Sequence, residues 1–540
     1  MSISEKIRSI FSEEDKIPEE FRLKSPVFQK EYLVNGELRI WDGAMQEVRS
    51  PIWLNTPAGL SQKVVGGYPL LTEKEALDAL SAAANAYRSG RGVWPTMPVC
   101  ERIKCVEEFA RRMGGKKDEI IPLLMWEIGK SYREAEGEFD RTTDYVRNTI
   151  NALKDLDRAS AKFVVEQGIM GQIRRAPLGI VLCMGPFNFP LNETLATLIP
   201  ALIMGNTIIL KPPRLGVLLH YPLLKAFRDA FPPGVVNVVY GQGSRVITPI
   251  MSSGKIDVLA FIGSSKVADL LRNQHPKSNR LRSVLGLEAK NTAIVLPDAD
   301  MDSTVRECVK GSLSFNGQRC TALKILFVHS RIVDVFLKEF IDEMERLKFG
   351  MPWEEGVTIT PLPELDKAAY LRGLVEDAQR LKARIMNAHG GTTNKTFFYP
   401  ALLYPVNSKM RVYHEEQFGP VVPVVPFDDI EMPIQYIIES SYGQQVSVFG
   451  RDAGAIANLV DVLVNQVCRV NINSMCQRGP DIFPFAGRKD SAKGTLSVKD
   501  ALRIFSIRTI VAAKARESNE EILTRIVNER KSNFLSTDFI

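Results

Sequence analysis

Cys320 is the residue of this sequence whose surroundings best suit covalent chemistry. It stands in the run Gly-Gln-Arg-Cys-Thr-Ala, directly after Arg319. A neighbouring cation and free backbone amides at a turn stabilise a thiolate, which is the reactive form of cysteine. The alternative is a buried packing cysteine, and we expect that role for the other cysteines of the chain. The spacing therefore predicts a nucleophilic thiol at Cys320.

A lone amide, Asn188, is the candidate donor to the oxyanion that forms when a nucleophile attacks a carbonyl. It lies between aromatic residues and prolines in the run Gly-Pro-Phe-Asn-Phe-Pro, where a strand is predicted to end. An amide at that point can donate a hydrogen bond to a developing negative charge. The alternative is an Asx-turn ahead of a helix predicted over residues 191–205.

The composition argues against several other kinds of site. The 540 residues carry a net charge of +6, a mild excess that does not indicate nucleic-acid binding. The seven cysteines include no Cys-x-x-Cys pair and the five histidines are scattered, so we expect neither a disulfide framework nor a metal site. The N-terminal stretch is charged throughout and has no apolar core, so we expect a reduced, cytoplasmic protein.

Residues 176–210 are the stretch that could be mistaken for a membrane span. The stretch contains prolines, asparagines and a glutamate among its apolar residues. Such residues break or charge a spanning helix, so we predict a strand, a turn, a helix and a second strand there. We therefore expect no membrane association.

Alternating strands and helices must position the candidate residues. Residues 72–160 predict three helices, whereas residues 1–70 predict irregular chain with short strands. From about residue 178, β-branched runs alternate with helical segments, and a second alternation follows from residue 292. Continuous apolar strands separated by helices are typical of parallel sheets covered on both faces. The pattern predicts two α/β domains with a ligand cleft between them.

Two segments of the first alternation are candidates for nucleotide binding, although the run Gly-x-Gly-x-x-Gly is absent from the sequence. Gly263 and Ser264 follow a strand and open a helix, where free N–H groups can face a phosphate. A simple helix cap by Ser264 or Ser265 is the alternative. Lys211 and Arg214 place two cations at the carboxyl end of another strand, where α/β sheets bind ligands. A solvated basic turn is the alternative there.

Together these residues resemble the aldehyde dehydrogenase superfamily. The runs GPFNFP, PALIMGNTIILKPP, PPGVVNVVYGQG, FIGS, GQRCTA, EEQFGPVV and FPFAGRKDS occur in the family's order and spacing over about residues 50–510. The runs GQRCTALK, WEEGVTITPLPE and VNINSMCQRGPDIFPF are most similar to the non-phosphorylating, NADP-dependent glyceraldehyde-3-phosphate dehydrogenases. The resemblance implies a Rossmann-like cofactor domain, a catalytic domain and a small β extension used in oligomerisation, and hence a homodimer or homotetramer. The implied segments are 1–157 with 179–285 for the cofactor domain, 286–485 for the catalytic domain, 158–178 with 497–515 for the extension, and 516–540 for a C-terminal helix and tail.

The resemblance also implies roles for single residues. Cys320 is the implied nucleophile, and Asn188 with the Cys320 amide is the implied oxyanion hole. The implied reaction is thiolate attack on an aldehyde, hydride transfer to a nicotinamide and hydrolysis of the thioester. The implied cofactor contacts are Lys211 at the adenosine ribose, Gly263 and Ser264 at the pyrophosphate, and Glu416 with Phe418 at the nicotinamide ribose.

Arg214 indicates which nicotinamide cofactor to expect. Many NAD-using relatives have a glutamate at this position, and an acid there repels a 2′-phosphate. Arg214 attracts one. The sequence therefore predicts NADP, with NAD as the alternative.

Arg141, Arg319 and Arg478 are the implied binding site for a substrate phosphate. Arginines bind phosphate through charge-assisted, bidentate hydrogen bonds. A surface ion pair is the alternative for each. The resemblance thus implies oxidation of glyceraldehyde 3-phosphate to 3-phosphoglycerate without phosphorylation. The alternatives are oxidation of another small anionic aldehyde, such as a semialdehyde, and a catalytically silent family member.

Three positions depart from the family's pattern. The family's general base is the glutamate of Glu-Leu-Gly-Gly-Lys, but here the run is Gly-Leu-Glu-Ala-Lys, with Gly286 in that place and Glu288 two residues later. In an extended segment Glu288 points to the same face about 7 Å further along, so we predict that it replaces the base. Phe189 replaces a tyrosine, which weakens the phosphate assignment, and Ala268 replaces a glycine.

Overall fold

Two buried, mostly parallel sheets form the framework of the protein. The structure is a computed structural model that describes residues 2–538. Three residues lie outside the described ones: Met1, Phe539 and Ile540. They are at the ends of the predicted segments 1–157 and 516–540. The two sheets confirm the α/β class that the sequence predicts.

Helices follow the amphipathic and buried apolar segments. Over residues 2–538 they are α1 Ile3–Arg8, α2 Glu73–Tyr87, α3 Val93–Thr96, α4 Val99–Gly114, α5 Lys117–Ile128, α6 Tyr132–Ser160, α7 Asn192–Ile203, α8 Tyr221–Ala230, α9 Gly243–Ser252, α10 Ser265–Gln274, α11 Met301–Leu313, α12 Val333–Glu345, α13 Lys367–Arg380, α14 Arg411–His414, α15 Glu431–Glu439, α16 Ala453–Leu463, α17 Val498–Ile504 and α18 Glu517–Asn528.

Strands follow the β-branched runs. Over the same residues they are β1 Val27–Phe28, β2 Glu31–Val34, β3 Glu37–Ile40, β4 Met45–Thr56, β5 Gly59–Pro69, β6 Phe163–Glu166, β7 Ile169–Pro177, β8 Ile180–Met184, β9 Thr207–Leu210, β10 Val236–Val238, β11 Val258–Ile262, β12 Arg282–Gly286, β13 Asn291–Val295, β14 Leu323–His329, β15 Lys348–Phe349, β16 Val357–Ile359, β17 Arg384–Ile385, β18 Thr393–Asn394, β19 Phe397–Phe398, β20 Ala401–Tyr404, β21 Val421–Phe427, β22 Tyr442–Gly443, β23 Gln445–Phe449, β24 Arg469–Ile472, β25 Arg488–Lys489, β26 Ala492–Lys493 and β27 Ser506–Lys514.

The first sheet has the order β26-β12-β11-β8-β9-β10-β2-β3. Its strands run parallel from β12 to β10 and antiparallel at both edges. β8 and β9 are almost entirely buried, as expected for strands with helices on both faces. The carboxyl ends of β8, β9 and β11 lead into the segments that carry Asn188, Lys211 and Ser264.

The second sheet has the order β17-β20-β21-β14-β13-β23-β24, parallel from β20 to β24 with β17 antiparallel at the edge. Glu288, Cys320 and Glu416 precede β13, β14 and β21 respectively. The second sheet therefore contributes the amino ends of its strands to the candidate residues, whereas the first sheet contributes carboxyl ends.

The first 160 residues contain more regular structure than the sequence predicts. β4 and β5 pair as a long antiparallel hairpin, and irregular register after Val48 disturbs the alternation that normally identifies strands. α5 is an additional helix among the three predicted ones. It is buried continuously from Leu123 to Ile128, so no polar face indicates its helical period.

The segments predicted as an extension, 158–178 and 497–515, meet in one antiparallel sheet with the order β27-β7-β6. The prediction that 497–515 is extended throughout is corrected by α17, whose buried residues Val498, Ala501 and Leu502 have helical spacing. α18 lies within the predicted helical segment 517–531. The domain boundaries and the role of this sheet in oligomerisation stay predictions.

Three further findings concern the described residues as a whole. No helix among residues 2–538 is both long and apolar enough to cross a membrane. Over that range no group of three or more His, Cys, Asp or Glu residues is arranged to hold a metal ion. The seven cysteines, all of which lie in that range, are unpaired.

A buried carboxylate at the end of α5 fixes the segment that follows β9. Glu127 accepts hydrogen bonds from the backbone N–H groups of Val217 (2.7 Å) and Leu218 (3.0 Å). These bonds anchor the far end of the segment that carries Lys211 and Arg214. Burial raises the pKa of Glu127 to about 7, although the N–H donors oppose the increase.

Substitution of Glu127 is expected to change the pH dependence of stability. Between pH 4.5 and about 7 the folded chain holds a proton that the unfolded chain has lost, so the free energy of unfolding should fall as pH rises through that range. In Glu127→Gln the free energy of unfolding should lack this pH-dependent decrease. Glu127→Ala leaves two buried N–H groups unpaired and should cost about 1–3 kcal/mol in addition. Urea unfolding at several pH values measures both effects, and identical pH slopes for the wild type and Glu127→Gln would contradict the assignment.

Candidate active site

A cavity of about 470 Å³ lies between the carboxyl ends of the first sheet and the amino ends of the second. Eight of the residues predicted to form a site line it. They are Asn188, Arg214, Gly263, Ser264, Glu288, Cys320, Glu416 and Phe418. Lys211, Arg141, Arg319 and Arg478 lie outside its lining.

A tight turn carries Cys320 to the cavity. Phe315, Asn316 and Gly317 all have positive φ, of 47°, 55° and 69°. A Cβ at Gly317 would lie 2.7 Å from the carbonyl oxygen of Ser312, so only glycine fits there. The turn lies between α11 and β14, and Cys320 follows it just before β14 begins at Leu323.

Hydrogen bonds from distant parts of the chain hold this turn. The Asn316 side chain accepts from the Thr360 N–H (2.9 Å) and donates to the Thr360 hydroxyl (3.1 Å). The Phe315 N–H donates to the Glu134 carboxylate (3.0 Å). Because these bonds persist only in one backbone conformation, they offset the cost of consecutive left-handed residues.

The surroundings of Asn188 suit an oxyanion. Its side-chain N–H donates to the carbonyl oxygen of Gln318 (2.9 Å), so the amide is fixed across the two sheets and has a second N–H for a ligand. This contact is not the Asx-turn that the sequence left open. In the part of the chain that the structure describes, no acceptor bonds the Cys320 backbone N–H. Asn188 and Cys320, the two residues that carry these donors, both line the cavity.

The thiol itself is not activated in the way the sequence predicts. Burial raises the pKa of Cys320, and Glu193 adds to the increase, while Lys324 and Arg478 oppose it. The guanidinium of Arg319 donates to the carbonyl oxygens of Gly311 (2.7 Å) and Lys310 (3.4 Å) at the end of α11. The expectation that the adjacent cation lowers the pKa is corrected, because Arg319 is directed to those carbonyls and burial dominates.

Lys290 fixes the segment that carries Glu416. Its ammonium group donates to the carbonyl oxygens of Val412 (2.8 Å) and Glu415 (2.6 Å) and to the side chain of Gln417 (2.7 Å). Burial, and then the nearby Lys324, lower the pKa of Lys290 well below its usual range. Three oxygen acceptors around a buried amine make this contact a structural one.

Glu416 and Phe418 lie side by side at the cavity. The Glu416 carboxylate accepts from the Ala289 N–H (3.1 Å) and forms an ion pair with Lys324. The Lys324 ammonium lies 5.0 Å from the centre of the Phe418 ring, and the Phe187 ring packs edge-on against the same ring at 5.8 Å. These contacts fix the two side chains that the resemblance places at a nicotinamide ribose.

The N-terminus of α10 is an anion-binding position that is already in use. Ser264 is the helix cap, as one alternative predicts, and accepts weakly from the Val267 N–H (3.4 Å). The Glu288 carboxylate accepts from the Ser265 N–H (2.8 Å) and hydroxyl (2.6 Å). Glu288 is therefore held at the start of a helix, where a negative charge is stabilised. The prediction that it continues the extended face of β12 is corrected, because β12 ends at Gly286.

Lys211 and Arg214 form a small cationic segment after β9. Among the described residues neither side chain has an ion-pair or hydrogen-bond partner. Burial, and then the charge of Arg214, lower the pKa of Lys211 to about 8. Two neighbouring cations without a carboxylate partner form a position that favours an anionic ligand.

The three arginines predicted to bind a phosphate are engaged with other groups. Arg478 forms a buried ion pair with Glu193 and lies 3.4 Å from Asp481. Arg141 also pairs with Asp481 (2.8 Å). Arg319 bonds backbone carbonyls, as described above. The structure thus pairs two of the three predicted phosphate ligands with carboxylates.

Glu193 and Lys324 are two site residues that sequence reasoning misses. Glu193 is an acid in the first turn of α7, a helix with no exposed residue. Lys324 lies in β14, whose other residues are apolar or aromatic. A charge inside a fully buried element needs a partner, and that signal alone identifies both residues as candidates.

A model of the aldehyde dehydrogenase family matches residues 46–511. The chain belongs to the aldehyde dehydrogenase family. The NADP-dependent glyceraldehyde-3-phosphate dehydrogenase of Streptococcus equinus is 31% identical over 493 residues, covering 89% of this chain and 97% of that relative. The lactaldehyde dehydrogenase of Methanocaldococcus jannaschii is 29% identical over 460 residues, covering 84% and 96%. The crystal structure of NADP-dependent glyceraldehyde-3-phosphate dehydrogenase from Bacillus halodurans C-125, complexed with NADP, matches with a TM-score of 0.82 and 31% identity, covering 91% of this chain and 100% of that chain.

Membership of the aldehyde dehydrogenase family confirms the resemblance predicted from the motifs. Cys320 and Asn188 both line the cavity between the two sheets. The similar aldehyde dehydrogenases are named for different aldehydes, so family membership does not identify the substrate. The charges around the cavity determine which aldehydes can bind.

Proposed function

We propose that this chain oxidises an aldehyde to a carboxylic acid with NADP, through a thioester on Cys320. The observation that carries the proposal is that Cys320 and Asn188, contributed by different sheets, border one cavity with the start of α10. A nucleophile, an oxyanion donor and a helix N-terminus are the parts that this reaction needs.

The chain's own residues account for formation of the thioester. The Cys320 thiol loses its proton, and the sulfur attacks the aldehyde carbon to form a thiohemiacetal. The free N–H of Asn188 and the Cys320 backbone N–H donate to the resulting oxyanion. Loss of a hydride from that carbon leaves the thioester. Because burial raises the pKa of Cys320, the rate of attack is expected to increase with pH in the neutral range.

The residues around the cavity fit NADP at its adenosine end. Lys211 and Arg214 lack carboxylate partners among the described residues, and a ribose bearing a 2′-phosphate supplies the missing anion. Gly263 and Ser264 would hold the pyrophosphate at the start of α10, where Ser265 already donates to the Glu288 carboxylate. Glu416 and Phe418 would hold the nicotinamide ribose. When bound, NADP supplies the acceptor for the hydride.

Hydrolysis of the thioester needs a base that Gly286 does not provide. Gly286 lines the cavity, and the nearest atom to a Cβ built there is a side-chain carbon of Ile262 at 3.4 Å. Glu288 lines the same cavity and stays our proposed base. Its carboxylate must then leave Ser265 to reach a water near Cys320.

Two substrate classes follow from different observations. Glyceraldehyde 3-phosphate, oxidised to 3-phosphoglycerate, is supported by the names of similar proteins. An aldehyde without an anionic group is favoured by the pairing of Arg478 with Glu193. A semialdehyde carries a carboxylate and meets the same obstacle as a phosphate. We also propose a cytoplasmic homodimer or homotetramer.

An assay of NADPH formation tests the proposed reaction. Purified protein is given NADP and, in turn, glyceraldehyde 3-phosphate, glyceraldehyde, succinic semialdehyde and acetaldehyde, without inorganic phosphate. At least one aldehyde should yield NADPH, Cys320→Ala should abolish the rate, and Asn188→Ala should lower kcat by about 10²–10³-fold because one oxyanion donor is lost. Absence of NADPH or NADH with every aldehyde would refute the proposal and support a silent family member.

Arg214→Glu is expected to change the preference between the two cofactors. Loss of a charge-assisted contact to the 2′-phosphate should weaken NADP binding by about 10- to 100-fold and leave NAD binding nearly unchanged. Quenching of tryptophan fluorescence measures both dissociation constants without turnover. The control for net charge is Arg331→Glu, which makes the same change of charge at an exposed residue that does not line the cavity. Equal weakening of NADP and NAD would refute the role of Arg214.

Gly286→Glu is expected to accelerate hydrolysis of the thioester. A carboxylate at that position adds a general base, which typically contributes at least about 10²-fold. Stopped-flow kinetics should show the steady-state rate approaching the rate of the initial NADPH burst. Gly286→Gln, which has the same size and no base, should leave the ratio unchanged. Glu288→Gln tests the alternative: if hydrolysis is unaffected, Glu288 is not the base.

A further inference from the structure

A charge-neutral cluster borders the part of the cavity where the substrate must lie. It consists of Arg478, Glu193, Asp481 and Arg141, which we call the neutral cluster. Arg478 pairs with both carboxylates, and Arg141 pairs with Asp481. Two positive and two negative charges therefore cancel, and no positive charge of the cluster is left for an anion.

Two groups of the neutral cluster, Arg478 and Asp481, have pKa shifts that favour their charged forms. Burial by itself lowers the pKa of Arg478, but Glu193 and Asp481 raise it overall. Burial favours the neutral form of Asp481, yet Arg141 and Arg478 hold its pKa below the usual range. The two ion pairs of Arg478 are buried, whereas Arg141 is partly exposed, so removal of one partner of Arg478 leaves an uncompensated buried charge.

Glu193 is the member of the neutral cluster that lines the cavity. Arg478 donates to one of its carboxylate oxygens, and within residues 2–538 no donor bonds the other oxygen. That oxygen is an acceptor, and it carries negative charge close enough to Cys320 to raise the pKa of the thiol. Arg478 does not line the cavity; it contacts two residues that do, Glu193 through the ion pair and the Phe485 ring, whose centre lies 4.6 Å from the guanidinium carbon.

Apolar side chains form part of the cavity wall. Phe189, Phe485 and Leu496 line it, and none of them can bond a phosphate. The Lys130 ammonium lies behind Phe189, 3.7 Å from the ring centre, but it is fully buried and paired with Glu138. A phosphate in this position would meet a carboxylate and aromatic rings. Arg478 and Lys130 are paired with carboxylates, and Arg319 donates to backbone carbonyl oxygens.

We propose that Glu193 sets the charge preference of the substrate: it excludes phosphorylated and carboxylated aldehydes and selects small uncharged aldehydes that offer a hydroxyl to its free oxygen. The inference rests on the proposed function, because it concerns the aldehyde that the proposed reaction oxidises. It departs from the phosphate site that the resemblance implies, because the arginine at that site is neutralised within this chain.

The size of the effect follows from the physics of buried charges. Like charges placed together in a desolvated site cost several kcal/mol, and release of a buried arginine from its carboxylate creates an anion site of comparable strength. The ratio of kcat/KM for glyceraldehyde to kcat/KM for glyceraldehyde 3-phosphate should therefore exceed about 10 in the wild type. Glu193→Gln should lower this ratio by about 100-fold.

The test uses two aldehydes that differ only in the phosphate group. NADPH formation is measured with glyceraldehyde and glyceraldehyde 3-phosphate for the wild type, Glu193→Gln and the double variant Glu193→Gln with Arg478→Gln. The single variant removes the carboxylate that neutralises Arg478 and leaves one positive charge uncompensated beside the cavity, whereas the double variant removes that cation as well. The ratio should fall in the single variant and return toward the wild-type value in the double variant. Propionaldehyde, which lacks hydroxyls, should be a poorer substrate of the wild type than glyceraldehyde.

Glu364→Gln is the matched control. Glu364 is a second acid that lines the cavity, and it lies 3.7 Å from Lys367 rather than near Arg478. Loss of its charge should leave the ratio of the two kcat/KM values unchanged. An equal change in Glu364→Gln and Glu193→Gln would show a general charge effect and overturn the assignment. A wild type that prefers glyceraldehyde 3-phosphate would overturn it too.

Two measurements separate this inference from the proposed function, because neither requires turnover. Binding of glycerol 3-phosphate, measured by calorimetry, should be weak in the wild type, stronger by about 100-fold in Glu193→Gln and weak again in the double variant. Alkylation of Cys320 by iodoacetamide should shift to lower pH in Glu193→Gln, since a charge that raises the thiol pKa is removed. If no aldehyde is oxidised but both shifts occur, the proposed function fails and the role of Glu193 stands. If glycerol 3-phosphate binds all variants equally, the role of Glu193 is wrong.

Discussion

The connection between β12 and β13 determines how the two sheets face each other. Residues 287–290 join the last parallel strand of the first sheet to the second sheet, and four residues span at most about 14 Å. Both ends are fixed: the Leu287 N–H donates to the Ser491 carbonyl, and Lys290 holds the segment around Glu416. A tether this short leaves a narrow cavity, and all of the proposed chemistry must take place within it.

Desolvation in that cavity decides the role of each charged side chain. Lys324 pairs with Glu416, Arg478 with Glu193, and Glu288 with the start of α10. A charge that is removed from water is stable only with a partner. A sequence motif that contains an arginine therefore does not show whether that arginine is free to bind a ligand or is already paired with a carboxylate. Lys211 and Arg214 are the contrasting case, since neither has a carboxylate partner in the described part of the chain.

The sequence predicts most of the fold and only part of the site, and the difference is a matter of distance along the chain. Strands and helices from residue 178 onward follow local periodicity, and the motifs identify Cys320 and Asn188 by their immediate neighbours. The pair of Glu193 with Arg478 joins residues 285 positions apart, and the bond from Glu134 to Phe315 spans 181 positions. No local pattern encodes such contacts. The amphipathic signal also fails for α5, which has no solvent face along its second half.

The position of the Glu288 carboxylate, two residues after Gly286, affects both cofactor binding and hydrolysis of the thioester. Because the backbone on either side of Glu288 is fixed by Leu287, Ala289 and Lys290, this side chain cannot slide toward the position of Gly286. Its two-residue shift therefore has two consequences at once. It removes a base from the end of β12, and it adds a negative charge at the helix N-terminus where a pyrophosphate would bind. As long as Glu288 is bonded to Ser265, slow hydrolysis and weak cofactor binding share a single cause. A substitution at Gly286 separates them, since it supplies a base without releasing Glu288 from Ser265.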